Sequence, residues 1–196
     1  MKAHRRPSPA RFFVTALVLA PALAQAHPGH GAASFVSGLA HPWHGLDHLL
    51  AMVAVGLWAA QLGGRARWLV PASFVGVMTL GGALGMAGAG LPLAEQGIAA
   101  SVLILGVLIA ATVRLPLAAS AALVGIFALC HGHAHGVEMP GTAAGLSYAL
   151  GFAGCTSLLH ALGLGLGLLL QRAQRREWLC ATGAAISAAS VLLVWH

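Results

Sequence analysis

Two stretches of the 196-residue chain gather side chains able to hold a metal ion. The first, His41-Pro-Trp-His-Gly-Leu-Asp-His48, has three imidazoles and one carboxylate in eight residues. The second, Cys130-His-Gly-His-Ala-His-Gly-Val-Glu138, has three imidazoles, a thiol and a carboxylate. Imidazole with carboxylate is a ligand set for borderline divalent ions such as nickel, cobalt and zinc. Residues three and four apart share one face of a helix, which groups His44, Asp47 and His48. His41 sits just before that helix, where it can fold over the same site. The same spacing groups His131, His135 and Glu138 if their helix continues that far, and points His133 elsewhere, towards solvent or an accessory position. One further imidazole, His160, stands inside an otherwise apolar stretch and needs a polar partner there.

The elements that carry these residues read as membrane elements. The chain is 59% apolar and 7% charged, with 26 glycines. Soluble domains carry about 25% charged residues. Ionisable groups at membrane depth are expensive and mark substrate or ion paths. The expected fold class is all-α: a polytopic membrane helical bundle of about six transmembrane helices after a cleaved signal peptide. The apolar stretches run roughly over 43–62, 68–88, 95–113, 116–134, 142–170 and 178–195, each near the ~20 residues that cross a bilayer.

Residues 1–26 read as the signal peptide, and 27–196 as one six-span transport domain. Lys2, Arg5, Arg6 and Arg11 form a basic start, Phe12 to Ala24 an apolar stretch, and Ala24-Gln25-Ala26 a small-x-small cleavage site. Cleavage leaves six basic residues against four acidic ones. The basic residues do not gather into a patch among aromatics, so no nucleic acid is implied. The three cysteines fall inside the spans, where no disulfide framework is implied. With no P-loop pattern in the chain, an ATPase motor would have to be another chain.

Charge placement sets the orientation. Arg65 and Arg67, then Arg114, then Arg172, Arg175 and Arg176 occupy alternate loops. With the mature N-terminus outside, all of them fall in the cytoplasm. Both ligand-rich segments then open on the outer side, although about 85 residues separate them. The mature chain would begin His27-Pro-Gly-His30, whose amine and imidazole can chelate a metal.

The segment His41-Pro-x-x-Gly45-x-Asp47-His48-Leu-Leu-Ala-Met-x-Ala-Val-Gly-Leu-Trp58 resembles the signature of the HupE/UreJ family. His131-Gly-x-Ala-His135-Gly-x-Glu138 does so too, and the resemblance covers essentially residues 27–196. That family is described as nickel permeases, in places cobalt, that supply hydrogenase or urease maturation. The resemblance implies roles for His41, Asp47 and His48 in the first motif and for His131 and Glu138 in the second. It gives none to His44 and His133, which occupy variable positions. Cys130 stands where such proteins often have an aromatic residue.

The expectation is therefore a transporter rather than an enzyme, in the bacterial inner membrane, with a periplasmic mature N-terminus. Its substrate is a divalent ion, Ni2+ or Co2+, and it carries no tightly bound cofactor. Glycine-rich helices such as Gly163-x-Gly165-x-Gly167 allow a homo-oligomer. Two alternatives stay open. One is a membrane metalloenzyme using His44 with His48 and His131 with His135; the other is a haem protein with axial His48 and His160.

Overall fold

The computed structural model describes residues 35–139 and 143–194. The leader assigned to residues 1–26 and the His27–His30 tail lie outside the described residues. The described elements are α1 (Phe35–Ala40), a 3-10 turn (His41–Trp43), α2 (Leu46–Leu62), α3 (Ala66–Met86), α4 (Ala94–Ala110), α5 (Leu117–Glu138), α6 (Ala143–Arg172) and α7 (Arg176–Val194). No strand occurs among the described residues. Helices α2 to α7 fall where six apolar stretches were expected.

Three of them, α3, α5 and residues Gly145–Arg172 of α6, are long and apolar enough to cross a membrane. At about 1.5 Å per residue the first two match a hydrocarbon core of about 30 Å and the third exceeds it. Phe35–Trp43 and Leu46–Leu62 meet the same test only together, as a pair bent by 88°. Helix α4 is apolar but has 17 residues, and α7 begins on Arg176 and Glu177. Large apolar side chains face outward all round, among them Leu80, Val107, Ile126, Leu158 and Leu192. That exposed apolar girdle is the surface a bilayer covers.

Helix α1 was not foreseen. Its six residues lie against α6, where Gly38 meets the Tyr148 carbonyl and Gly151 meets the Phe35 carbonyl so closely that neither tolerates a Cβ. Tertiary contact, not local propensity, makes this helix. The chain then turns through His41-Pro42-Trp43 and breaks at Gly45, whose extended backbone (φ −114°, ψ 113°) precedes the first turn of α2.

Helices α3 and α5 touch backbone to backbone. A Cβ on Gly132 would overlap the Met78 carbonyl oxygen, and one on Gly136 that of Gly82. Small residues four apart allow such approach in membrane helices. Helices α2 and α6 close in the same way through Gly56, at the His160 carbonyl, and Gly163, at the Val53 carbonyl. The glycine row of α6 is thus partly used inside the bundle: Gly163 and Gly167 both face α2. The core between the helices holds Met52, Leu57, Trp58, Phe74, Val102, Leu105 and Ile109. At one end Trp58 Nε1 donates to the Val113 carbonyl, Gln61 Nε2 to that of Ile109, and Arg176 to Thr112 Oγ1. The arginine loops cluster there, and the histidine motifs occupy the other end.

Candidate metal centre

Asp47 opens α2, where a negative charge complements the helix dipole. Its Oδ1 accepts two bonds from His48, from the backbone N–H at 2.8 Å and from Nδ1 at 2.9 Å. The carboxylate only accepts, so His48 Nδ1 carries the hydrogen, and in the neutral ring Nε2 carries the lone pair. Gly45 makes room for this pair. A Cβ there would lie 2.8 Å from Asp47 Oδ1 and 3.1 Å from His48 Nδ1.

Helix α5 does continue to Glu138, which puts His131, His135 and Glu138 on consecutive turns. The α3–α5 backbone contact fixes their direction towards α2. His48 meets the His131 ring at 4.6 Å between centroids and the His135 ring at 4.4 Å. His41, from the 3-10 turn, meets His135 at 4.6 Å, and its Nε2 lies 3.9 Å from Glu138 Oε2. The four rings form a row, His41, His135, His48, His131, which starts at exposed Glu138 and ends at fully buried His131. Phe152 packs on His135 at 4.3 Å, and Tyr148 faces His41 at 5.6 Å.

At the outer end of the row, His41, His135 and Glu138 offer ligand atoms within 4.8 Å of one another. Atoms ligating one ion at about 2.1 Å stand roughly 3–4 Å apart. Deeper in, His48 Nε2, His131 Nδ1 and both nitrogens of His135 are buried without a hydrogen-bond partner among the described residues. Each such atom costs about 1–3 kcal/mol unless something satisfies it. A row of unpaired ring nitrogens leading inward is costly as structure and suited to a passing cation.

Beyond His131 the Phe74 ring packs on both His131, at 5.7 Å, and His160, at 5.0 Å. His160 is buried and neither ring nitrogen has a partner. Among the described residues its ring touches Phe74 and none of the four rings of the row. His48 and His160 are linked only through ring contacts with His131 and Phe74.

Two expectations are corrected. His44 does not share a face with Asp47 and His48, because the chain is extended at Gly45 and the helix begins only at Leu46. It is exposed, with its ring 6.2 Å from that of His41. His133 does not face solvent: it is buried, and its Nε2 lies 2.6 Å from the Ala89 carbonyl, to which it donates. It fastens the α3–α4 loop. Cys130 is a free, half-buried thiol whose Sγ faces Gly97 rather than the row. Reasoning from sequence missed Ser101, whose Oγ is 2.9 Å from His131 Nε2. Its polarity in the apolar run Ala-Ala-Ser-Val-Leu-Ile-Leu was the available signal.

Fold and site together define a multi-pass helical membrane protein with an imidazole–carboxylate cluster at one end of its bundle. The chain belongs to the HupE/UreJ family: the family model described as HupE / UreJ protein matches residues 15–193. It is 47% identical over 175 residues to Protein HupE of Rhizobium leguminosarum bv. viciae, covering 89% of this chain and 92% of that protein. No solved structure matches it.

Proposed function

We propose that the chain is a permease of the bacterial inner membrane that takes up Ni2+, with Co2+ the close competitor, for maturation of a hydrogenase or urease. A signal peptide over residues 1–26 is removed, and the six-span mature chain, 27–196, has its N-terminus in the periplasm. The gathering of the arginine loops at the end opposite the histidines supports that orientation.

The observation that carries the reading is the row of imidazoles with unpaired nitrogens. His41, His135 and Glu138 would take the ion from water at the periplasmic mouth. His48, oriented by Asp47, and His131 would receive it next. Each step exchanges one or two nitrogen ligands for others of the same kind, so no station holds the ion too tightly to let it leave. His160 would receive it beyond Phe74. His44 stands at the rim, where it can contribute only to capture.

Uptake of radioactive nickel by cells that produce the wild type or Asp47→Ala, His48→Ala and Glu138→Ala tests the reading. Loss of uptake in all three, at equal membrane abundance, is expected. Wild-type uptake by Asp47→Ala or His48→Ala overturns the site.

A further inference from the structure

Ser101 lies fully buried in α4, away from both histidine motifs in sequence. Its hydroxyl oxygen is 2.6 Å from the Ile98 carbonyl oxygen and 2.9 Å from His131 Nε2. A hydroxyl has one proton, and a carbonyl oxygen can only accept. Once that proton goes to Ile98, the Ser101 oxygen has only lone pairs for His131. His131 Nε2 must then carry the hydrogen. A neutral imidazole has a single N–H, so the lone pair of His131 falls on Nδ1. That Nδ1 is buried and unpartnered.

The opposite assignment holds on the facing ring. Asp47 takes the Nδ1 hydrogen of His48 and leaves the lone pair on Nε2, which is also buried and unpartnered. The two rings, 4.6 Å apart and at 84°, thus have their tautomers set from opposite sides by two different supports. Metal-ligating histidines regularly donate their second nitrogen to such a support, which fixes ring orientation and tautomer.

We propose that Ser101 is a positioning residue, which holds His131 in the Nε2–H tautomer and so presents Nδ1 as the ligand for a divalent cation shared with His48. This rests on the uptake reading above but makes a separate statement about the apoprotein. Without the hydroxyl, nothing on α4 selects between the two tautomers. In one of them the lone pair faces α4 and is lost to the row.

The test uses the full chain purified in lipid nanodiscs, as wild type, Ser101→Ala and Ser101→Thr. The first readout is the ring 15N spectrum of histidine-labelled protein without metal, with the His131 signals assigned by their loss in His131→Asn. Wild type and Ser101→Thr are expected to show a single Nε2–H tautomer, and Ser101→Ala a mixture or the Nδ1–H form. The second readout is calorimetric titration with Ni2+ and Co2+ alone. Removal of a supporting partner weakens metal binding 10–100-fold in comparable sites, so Ser101→Ala should lie about tenfold or more above wild type in Kd, with Ser101→Thr close to wild type.

A wild-type tautomer of Nδ1–H, or a Ser101→Ala spectrum identical to wild type, overturns the proposal even if affinity falls, since the loss would then be one of packing. A changed tautomer with unchanged affinity overturns it too. If the tautomer responds as expected but wild type binds neither ion, Ser101 still sets the His131 tautomer while the metal role and the uptake reading both fail.

Discussion

Gly45→Ala adds one methyl group beside the Asp47–His48 pair and changes little else. The backbone there is extended, a conformation open to any residue, so strain is not the issue. The new Cβ would lie 2.8 Å from Asp47 Oδ1 and 3.1 Å from His48 Nδ1. Comfortable non-bonded contact is at about 3.5 Å. The carboxylate and the ring must therefore draw back by several tenths of an ångström, and the 2.9 Å bond between them lengthens or breaks. Hydrogen bonds to charged groups contribute about 1.5–3 kcal/mol. The lower end applies here, because the Asp47 side chain is 36% exposed. Lost orientation of a ligating histidine costs roughly tenfold in metal affinity, or about 1.4 kcal/mol. Calorimetric titration of the purified protein with Ni2+ should show that tenfold rise in Kd, with thermal stability nearly unchanged. Gly76→Ala serves as control, since a Cβ at Gly76 meets nothing within 4 Å. Wild-type affinity in Gly45→Ala would refute the idea that the Asp47–His48 pair orients the ligand.

Three further outcomes are expected. His133→Ala should lower stability by about 0.5–1.5 kcal/mol, the usual value of one hydrogen bond, through release of the Ala89 carbonyl; a thermal melt reads the loss while Ni2+ affinity stays at wild type. His160→Leu removes two orphaned buried nitrogens and should raise the melting temperature; nickel uptake should fall while Ni2+ binding at the outer row persists, and unchanged uptake would remove His160 from the path. Imidazole binds metal only when neutral, and its reference pKa is about 6.5. Protonation removes the lone pair, so uptake should be insensitive to external pH above that value and decline only at more acid pH, measured at constant membrane potential.

The membrane class and the positions of α2 to α7 were legible because apolar length and composition are local properties of the chain. That the two motifs share one end was expected from the alternation of basic loops, and His41 does face Glu138. What could not be read is what depends on contacts between distant residues. Helix α1 exists because Gly38 and Gly151 let it lie on α6, and six residues give no periodic signal of their own. Helical spacing favoured His44 because it assumed an unbroken helix through Gly45. The family resemblance favoured His41, and it is His41 that faces His135 and Glu138. His133 was placed by its direction on α5 alone, whereas the loop that returns from α3 covers that face and supplies the Ala89 carbonyl. Ser101 and Phe74 carry no motif, and their relation to His131 appears only once α3, α4 and α5 are packed.

If the proposal holds, this chain by itself moves a borderline divalent ion along the histidine row. Influx of Ni2+ into proteoliposomes that contain only the purified protein tests it most directly, with His48→Ala alongside and Co2+, Zn2+ and Mn2+ as competitors. Saturable influx that His48→Ala abolishes is expected, with Co2+ competing strongly and Mn2+, an oxygen-preferring ion, weakly. No influx above protein-free liposomes across an imposed ion gradient, or influx equal in His48→Ala, would contradict it.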